Sequence, residues 1–347
     1  MYFSNSIISW YNKNARELPW RDTINPYKIW LSEIILQQTR VSQGLPYYLK
    51  FIENFPTINH LASSSENQVM KLWQGLGYYS RARNMHFTAK YIVQHYNSQF
   101  PENYNEILKL KGIGEYTAAA ISSFCFDLPH AVVDGNVIRI LSRYFGIETP
   151  YDTSEGKKIF KNLADRELNI DLSATHNQSI MEFGALQCVP KSPNCSVCPL
   201  SENCMAFNSN LIDFLPVKSK KISVKKRYFN YLIIENEDST FLQKRNSGIW
   251  KSLYEFPLIE GDFTEEKLLK SDEFDEILQN SDFTIGFVSK QVKHQLTHQT
   301  IFANFWHIKV SSFQNKKYKE VNWDCFIEFP IPRLIDKYLK NIEKVTN

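Results

Sequence analysis

Residues 106–121 read EILKLKGIGEYTAAAI, and the fold turns on how that run is parsed. Apolar residues at 3–4 spacing stop near Leu110 and resume beyond Glu115, which predicts a helix, a short turn and a second helix. Gly112 and Gly114 stand two residues apart in the turn. Neither carries a Cβ, so the backbone can turn tightly and a partner can approach closely. The N–H groups freed at the start of the second helix form an anion site, and Lys111 sets a point charge beside it. The plain reading is a tight helix–helix turn; the functional one is a grip on phosphate.

The same periodicity recurs on both sides, in KIWLSEIILQQ (28–38), YTAAAISSF (116–124) and NVIRILSRYF (136–145). It predicts an all-α domain over residues 1–215. VKSKKISVKKR (217–227) follows, with six basic residues from Lys218 to Arg227, and reads as a basic linker over 216–227. It is either a solvated tether or a phosphate contact. From 228 to 347 the pattern changes to period 2. RYFNYLIIE (227–235) and TFLQKR (240–245) read as strands joined across a polar turn, TIFANFWHIKV (300–310) as a third. FTEEKLLK (263–270) reads as a short helix with Thr264 at its N-cap. The second domain is thus expected to be α+β on a mostly antiparallel sheet.

At 347 residues the chain exceeds one comfortable core, in line with two domains. An apolar fraction of 43% and a charged fraction of 22% exclude a disordered or fibrous protein. The net charge of +3 neither requires nor forbids a polyanionic partner. No signal peptide and no apolar run of about 18 residues is evident, so a reducing cytoplasm without membrane attachment is expected.

In that setting CVPKSPNCSVCPLSENC (188–204) asks for a metal rather than disulfides. Its spacing, C-x6-C-x2-C-x5-C, contains a single C-x2-C knuckle. Zinc bound by four cysteines usually uses two such knuckles, whereas a cubane iron–sulfur centre tolerates one uneven loop; the spacing favours the second without excluding the first. Two carboxylates also stand in unusual company. Glu33 is flanked by Trp30, Leu31, Ile34 and Ile35, and Asp134 follows an apolar run at a helix start. An apolar setting raises a carboxyl pKa. A solvent-facing helix position for Glu33 and an N-cap for Asp134 are the ordinary alternatives.

The helix–KGIG–helix run resembles the helix-hairpin-helix motif, which grips DNA phosphate without reading sequence. With LPWRD (18–22), PYKIWLSEIILQQTRV (26–41), LWQGLGYYSRARN (72–84), VVDGNVIR (132–139), MEFGALQC (181–188) and the cysteine loop, the chain resembles the MutY adenine DNA glycosylases, helix-hairpin-helix enzymes related to endonuclease III. The resemblance implies a 4Fe–4S cluster on Cys188, Cys195, Cys198 and Cys204 that shapes a DNA-facing loop. It implies removal of adenine mispaired with 8-oxoguanine, or with guanine, from double-stranded DNA, by a monomer working at the bacterial nucleoid. Glu33 would protonate the flipped base, and Asp134 would stabilise the sugar cation or trap it covalently. Asn136 and Tyr116 would support these carboxylates. Gln38 and Tyr78 would fill or wedge the duplex, and Trp20, Arg21 and Glu182 would line the adenine pocket. Lys111, Gly112 and Gly114 would hold backbone. Relatives that cut the strand carry lysine where Tyr116 stands, so base removal without efficient strand cleavage is expected.

The family's second domain resembles a MutT-type Nudix fold that reads 8-oxoguanine, and FLQKRNSGIWKSLYEFP (241–257) is similar to its entry strands. The hydrolase helix of the form REUxEE has no counterpart here; only Glu265 and Glu266 stand near its place, so pyrophosphohydrolase activity is not expected. The Phe-Ser-His reading turn of relatives is matched by Leu296, Thr297 and His298, and Lys111 replaces the hairpin's usual proline. The rival readings are a thymine–guanine mismatch or endonuclease III-like glycosylase, which Glu33 and the second domain disfavour, and a non-catalytic iron–sulfur DNA-binding protein or zinc adaptor.

Overall fold

The computed structural model describes residues 2–219, 223–279 and 281–346. Helices α1 (Tyr2–Asn14), α2 (Pro26–Leu36), α3 (Val41–Asn54), α4 (Ile58–Ser63), α5 (Glu66–Leu72), α6 (Ser80–His95), α7 (Tyr104–Lys109), α8 (Glu115–Phe126), α9 (Gly135–Phe145), α10 (Ser154–Glu167), α11 (Ser173–Leu186) and α12 (Met205–Asn208) precede the sheet. By their contacts, residues 1–63 and 84–221 form one compact unit, and 64–83 and 222–347 another.

In the helical unit, local chemistry fixes the elements that carry the site. Asn25 starts α2 by accepting from the N–H groups of Tyr27 and Lys28, with Pro26 at the first helical position. Everything from Ile29 to Ile35 is buried, so α2 has no solvent face there. Asn103 caps α7, which ends at Lys109, and Gly114 opens α8. These are the limits the sequence predicts for the hairpin. Helices α8, α9 and α11 supply much of the core, where Ala119, Ala120, Val137, Ile140, Leu141, Ile180 and Phe183 meet.

The second unit is built on strands β1 (Lys225–Asn236), β2 (Ser239–Lys244), β3 (Tyr254–Glu255), β4 (Leu258–Glu260), β5 (Phe283–Val288), β6 (Val292–Gln295), β7 (Gln299–Val310) and β8 (Lys319–Asn322). The sheet runs β3-β2-β1-β7-β5, with β4 on β1, β6 on β7 and β8 on β2. Most pairs are antiparallel, but the long central pair β1–β7 is parallel, from Lys225 opposite Gln299 to Glu235 opposite Lys309. The sequence reading missed this. Leu232, Ile234, Trp306 and Ile308 meet helices α13 (Glu265–Leu269) and α14 (Asp272–Leu278) on one face. On the other, Phe305 stacks on Tyr338 of α16 (Arg333–Thr346), at 3.6 Å and 5°. A short α15 (Trp323–Phe326) lies between.

Two expectations need correction. Residues Phe229–Ile234 are buried without alternation, because a central strand covered on both faces has no polar side. The linker also ends earlier than expected, since Lys225 to Arg227 already pair with β7; residues 220–222 of that linker lie outside the described residues. Thr264 does sit at the N-cap of α13, though its side chain makes no capping bond. Among the described residues no helix is long and apolar enough to cross a membrane.

Candidate active site

Because α2 is buried all round, the Glu33 carboxylate is only 6% exposed. The ordinary solvent-facing alternative is therefore ruled out. Burial raises its pKa to about 7, opposed by the Tyr116 hydroxyl, which donates to Glu33 Oε2 at 2.7 Å, and reinforced by the nearby Asp134 charge. A carboxyl titrating there still holds its proton over much of the neutral range. Tyr116, one residue into α8, is itself raised well above its ordinary value by burial and by the two carboxylates. It is an oriented donor, not a base.

Asp134 is the N-cap of α9. Its Oδ1 accepts from the N–H groups of Asn136 and Val137, both at 2.8 Å, and its Oδ2 from Asn136 Nδ2 at 2.9 Å. Burial raises its pKa, but these donors and Arg139 all favour the ionised form. The N-cap and the candidate reactive carboxylate are thus one residue, and the helix terminus favours negative charge there. Burial holds a proton on Glu33, whereas the donors at the start of α9 favour the ionised form of Asp134.

Behind Asp134 lies a buried guanidinium that sequence reasoning missed. Arg139 donates to Asn136 Oδ1 (2.9 Å), to the Gly184 carbonyl (2.5 Å) and to the Cys188 carbonyl (2.7 Å). One turn on, Arg143 donates to Cys188 Sγ at 3.5 Å and to the carbonyls of Val189, Pro190 and Leu215. The i, i+3 spacing of Asn136 and Arg139 was the available signal.

Cys188 and Cys198 pack against the helical core, and Cys204 Sγ reaches the Arg143 carbonyl at 3.5 Å. Cys195, Cys198 and Cys204 each lie within electrostatic reach of Cys188. Among the described residues no three His, Cys, Asp or Glu side chains converge as a single-ion site. The donor set is four thiols with no carboxylate or imidazole among them.

Glu182, expected in the base pocket, is 1% exposed and fully engaged. Burial alone would raise its pKa, but Arg16, bound through Nε, Nη2 and its backbone N–H, and Arg21, bound through Nη2, hold it at about 2. Arg16 was not anticipated; it stands just before the LPWRD stretch. Arg21 also donates to Gln178 and to the Arg16 carbonyl. Trp20 is buried edge-on against Tyr48 at 5.1 Å, so its packing is that of core.

In the hairpin, Gly112 has φ +83°, and a Cβ there would stand 2.7 Å from Asn84 Cβ. Nothing lies within 4 Å of a Cβ at Gly114, so that face is open. Lys111 is exposed, its ammonium 4.4 Å from the centre of the Phe87 ring, and its carbonyl accepts from Thr88. Gln38, just after α2, is exposed with φ +54°. A non-glycine residue in this region is uncommon and strained.

In the second unit Tyr78 shares that conformation, at φ +48°, and is 47% exposed. Its ring lies over the Arg81 guanidinium, which also covers Trp73. Its hydroxyl is hydrogen-bonded to Thr297 Oγ1. Leu296, Thr297 and His298 form the turn between β6 and β7, closed by the Leu296 N–H donating to the Gln299 carbonyl at 2.8 Å. Thr297 and His298 are exposed. Tyr78, Arg83, Gly248, Trp250 and this turn line a cleft of about 410 Å³. Glu265 and Glu266 lie exposed in the first turn of α13.

Residues 31–165 match the HhH-GPD superfamily of base excision DNA repair proteins, and residues 230–341 match the NUDIX domain. A curated adenine DNA glycosylase of Buchnera aphidicola (subsp. Baizongia pistaciae) is 37% identical over 98% of this chain and 97% of its own. The human adenine DNA glycosylase is 37% identical over 59% of this chain and 39% of its own. Among solved structures, a thermostable thymine-DNA glycosylase superposes with a TM-score of 0.56 at 28% identity, covering 60% of this chain and 95% of that one. An endonuclease III–DNA complex gives 0.53 at 21% identity over the same share of this chain, a likeness of fold alone. With both halves matched and full-length relatives of one name, the chain belongs to the MutY-like adenine DNA glycosylases of base excision repair.

Proposed function

We propose that the protein removes adenine opposite 8-oxoguanine, and more slowly opposite guanine, from duplex DNA, and leaves the strand uncut. The pairing of a proton-holding Glu33 with an Asp134 that accepts three hydrogen bonds at the start of α9 is the observation that carries this reading. A flipped adenine accepts a proton from Glu33 at its N7, which makes the base a neutral leaving group. As the glycosidic bond lengthens, positive charge grows on the sugar, and Asp134 stabilises it or captures it. Tyr116 keeps Glu33 oriented, and having no amine it offers no Schiff-base route to strand cleavage. Glu182 and Arg21, joined with Arg16 in one ion-paired cluster, would line the base pocket.

The hairpin turn with Lys111 would hold one backbone phosphate, and Gln38 and Tyr78, strained and exposed, would enter the duplex. Thr297 offers a hydroxyl to the edge of 8-oxoguanine, with Leu296 and His298 beside it. Cys188, Cys195, Cys198 and Cys204 would hold a 4Fe–4S cluster; the all-thiol donor set supports it. When bound, that group supplies a four-point anchor for residues 188–204. A monomer acting on nucleoid DNA completes the reading.

The test is single-turnover base release from duplexes carrying A opposite 8-oxoguanine, A opposite guanine, or T opposite guanine, each read with and without alkali. Alkali-dependent breaks at adenine, fastest opposite 8-oxoguanine and lost in Glu33→Gln and Asp134→Asn, are expected. Release of thymine, or breaks without alkali, would overturn it.

A further inference from the structure

The loop joining β2 to β3 is held in an unusual shape. Gly248 has φ +68°, which suits glycine, but Trp250 has +61° and Ser252 +71°. A bulky aromatic residue in the left-handed region is an outlier that persists only where its surroundings over-determine it. Here they do. The Arg245 N–H donates to the Leu253 carbonyl and the Ser252 N–H to the Arg245 carbonyl, both at 2.8 Å. Arg83 Nη1 donates to the Lys251 carbonyl at 2.6 Å.

This conformation turns the Trp250 ring inward, where it is 8% exposed. It stands edge-on to Phe229 of β1, with ring centres 6.1 Å apart, and to His294 of β6, at 5.8 Å and 63°. His294 is two residues before Leu296. Strand β6 is four residues long and, among the described residues, pairs only with β7. Such a short arm has little rigidity of its own, and the indole edge supports it from the side. The loop and the turn also face each other across one cleft.

We propose that Trp250 is a positioning residue for the Leu296–Thr297–His298 turn, fixing β6 through His294 so that Thr297 meets the base opposite adenine in one orientation. This rests on the reading of that turn as the sensor of 8-oxoguanine. Selectivity between 8-oxoguanine and guanine then depends on an indole that touches neither base.

The experiment uses the full chain, with enzyme in saturating excess, and reads the ratio of single-turnover rates for adenine opposite 8-oxoguanine and opposite guanine. Trp250→Ala and His294→Ala are each expected to shrink the ratio about threefold or more, the equivalent of one lost aromatic edge contact. Trp250→Phe restores most of it. The double variant falls no further than Trp250→Ala, because both changes cut the same contact. Thr297→Val tests the underlying reading separately. If Thr297→Val shrinks the ratio and Trp250→Ala does not, or the two alanine effects add, the positioning role is wrong and the turn's role stands. If Thr297→Val leaves the ratio intact, both are wrong. Should Trp250→Ala fail to fold, an unchanged ratio in His294→Ala overturns the proposal alone.

Discussion

Replacing Glu33 by glutamine should make the protein more stable at pH 8 than at pH 5, relative to the wild type. In the unfolded chain this carboxyl titrates near its ordinary 4.5; in the fold, burial moves it to about 7. Between those values the native state keeps a proton that the unfolded state has released. Stability therefore falls as pH rises from 4.5, and the loss is complete above about 7. The whole shift is worth about 3 kcal/mol, at about 1.4 kcal/mol for each factor of ten in proton affinity, and most of it falls between pH 5 and 8. Glutamine has no proton to lose, and its carbonyl oxygen can still accept from Tyr116. Urea unfolding of the full chain and the Glu33→Gln variant, side by side at pH 5, 6, 7 and 8, reads the difference directly. The gap between the two should move by about 2–3 kcal/mol in favour of the variant as pH rises. A gap that stays level across the series would falsify the assignment of a proton to Glu33, and with it the general-acid role.

Further predictions rest on neighbouring residues. Asp134→Asn keeps an N-cap oxygen, so stability should change by less than about 1 kcal/mol while base release falls at least about a hundredfold in single-turnover assays. Tyr116→Phe removes a hydrogen bond that lowers the Glu33 pKa. The alkaline fall-off in its pH–rate profile should therefore move to higher pH, and a move to lower pH contradicts the geometry. Gly112→Ala places a methyl against Asn84 at φ +83° and should destabilise the protein by about 1–2 kcal/mol. It should also weaken binding to undamaged duplex in a fluorescence anisotropy titration.

The hairpin was legible because its limits are written in local chemistry: two glycines, an asparagine cap and a break in apolar spacing. Glu33 was legible as an anomaly, since nothing polar stands within two positions of it except Ser32. What escaped was whatever depends on distant chain. The parallel β1–β7 pairing joins strands more than sixty residues apart, and no local pattern distinguishes a parallel neighbour from an antiparallel one. Continuous burial of β1 follows from helices on both faces, which the strand itself does not announce. Glu182 read as a pocket residue because its two arginine partners come from another part of the chain. Arg139 and Arg143 looked like the polar face of an amphipathic helix, and both are buried against the cysteine loop.

The division of the chain also bears on how the protein is made. Residues 64–83, which carry Tyr78, belong with strands that begin after residue 222. On the ribosome this segment emerges well ahead of the strands it groups with, and at about 5–20 residues per second the wait is on the order of ten seconds or more. The helical unit has all its own parts by residue 221. For that interval the bonds from Tyr78 to Thr297, from Lys71 to the Phe329 carbonyl and from Arg83 to the Lys251 carbonyl cannot form, so nascent chains stalled before residue 222 should be cut first by protease within 64–83.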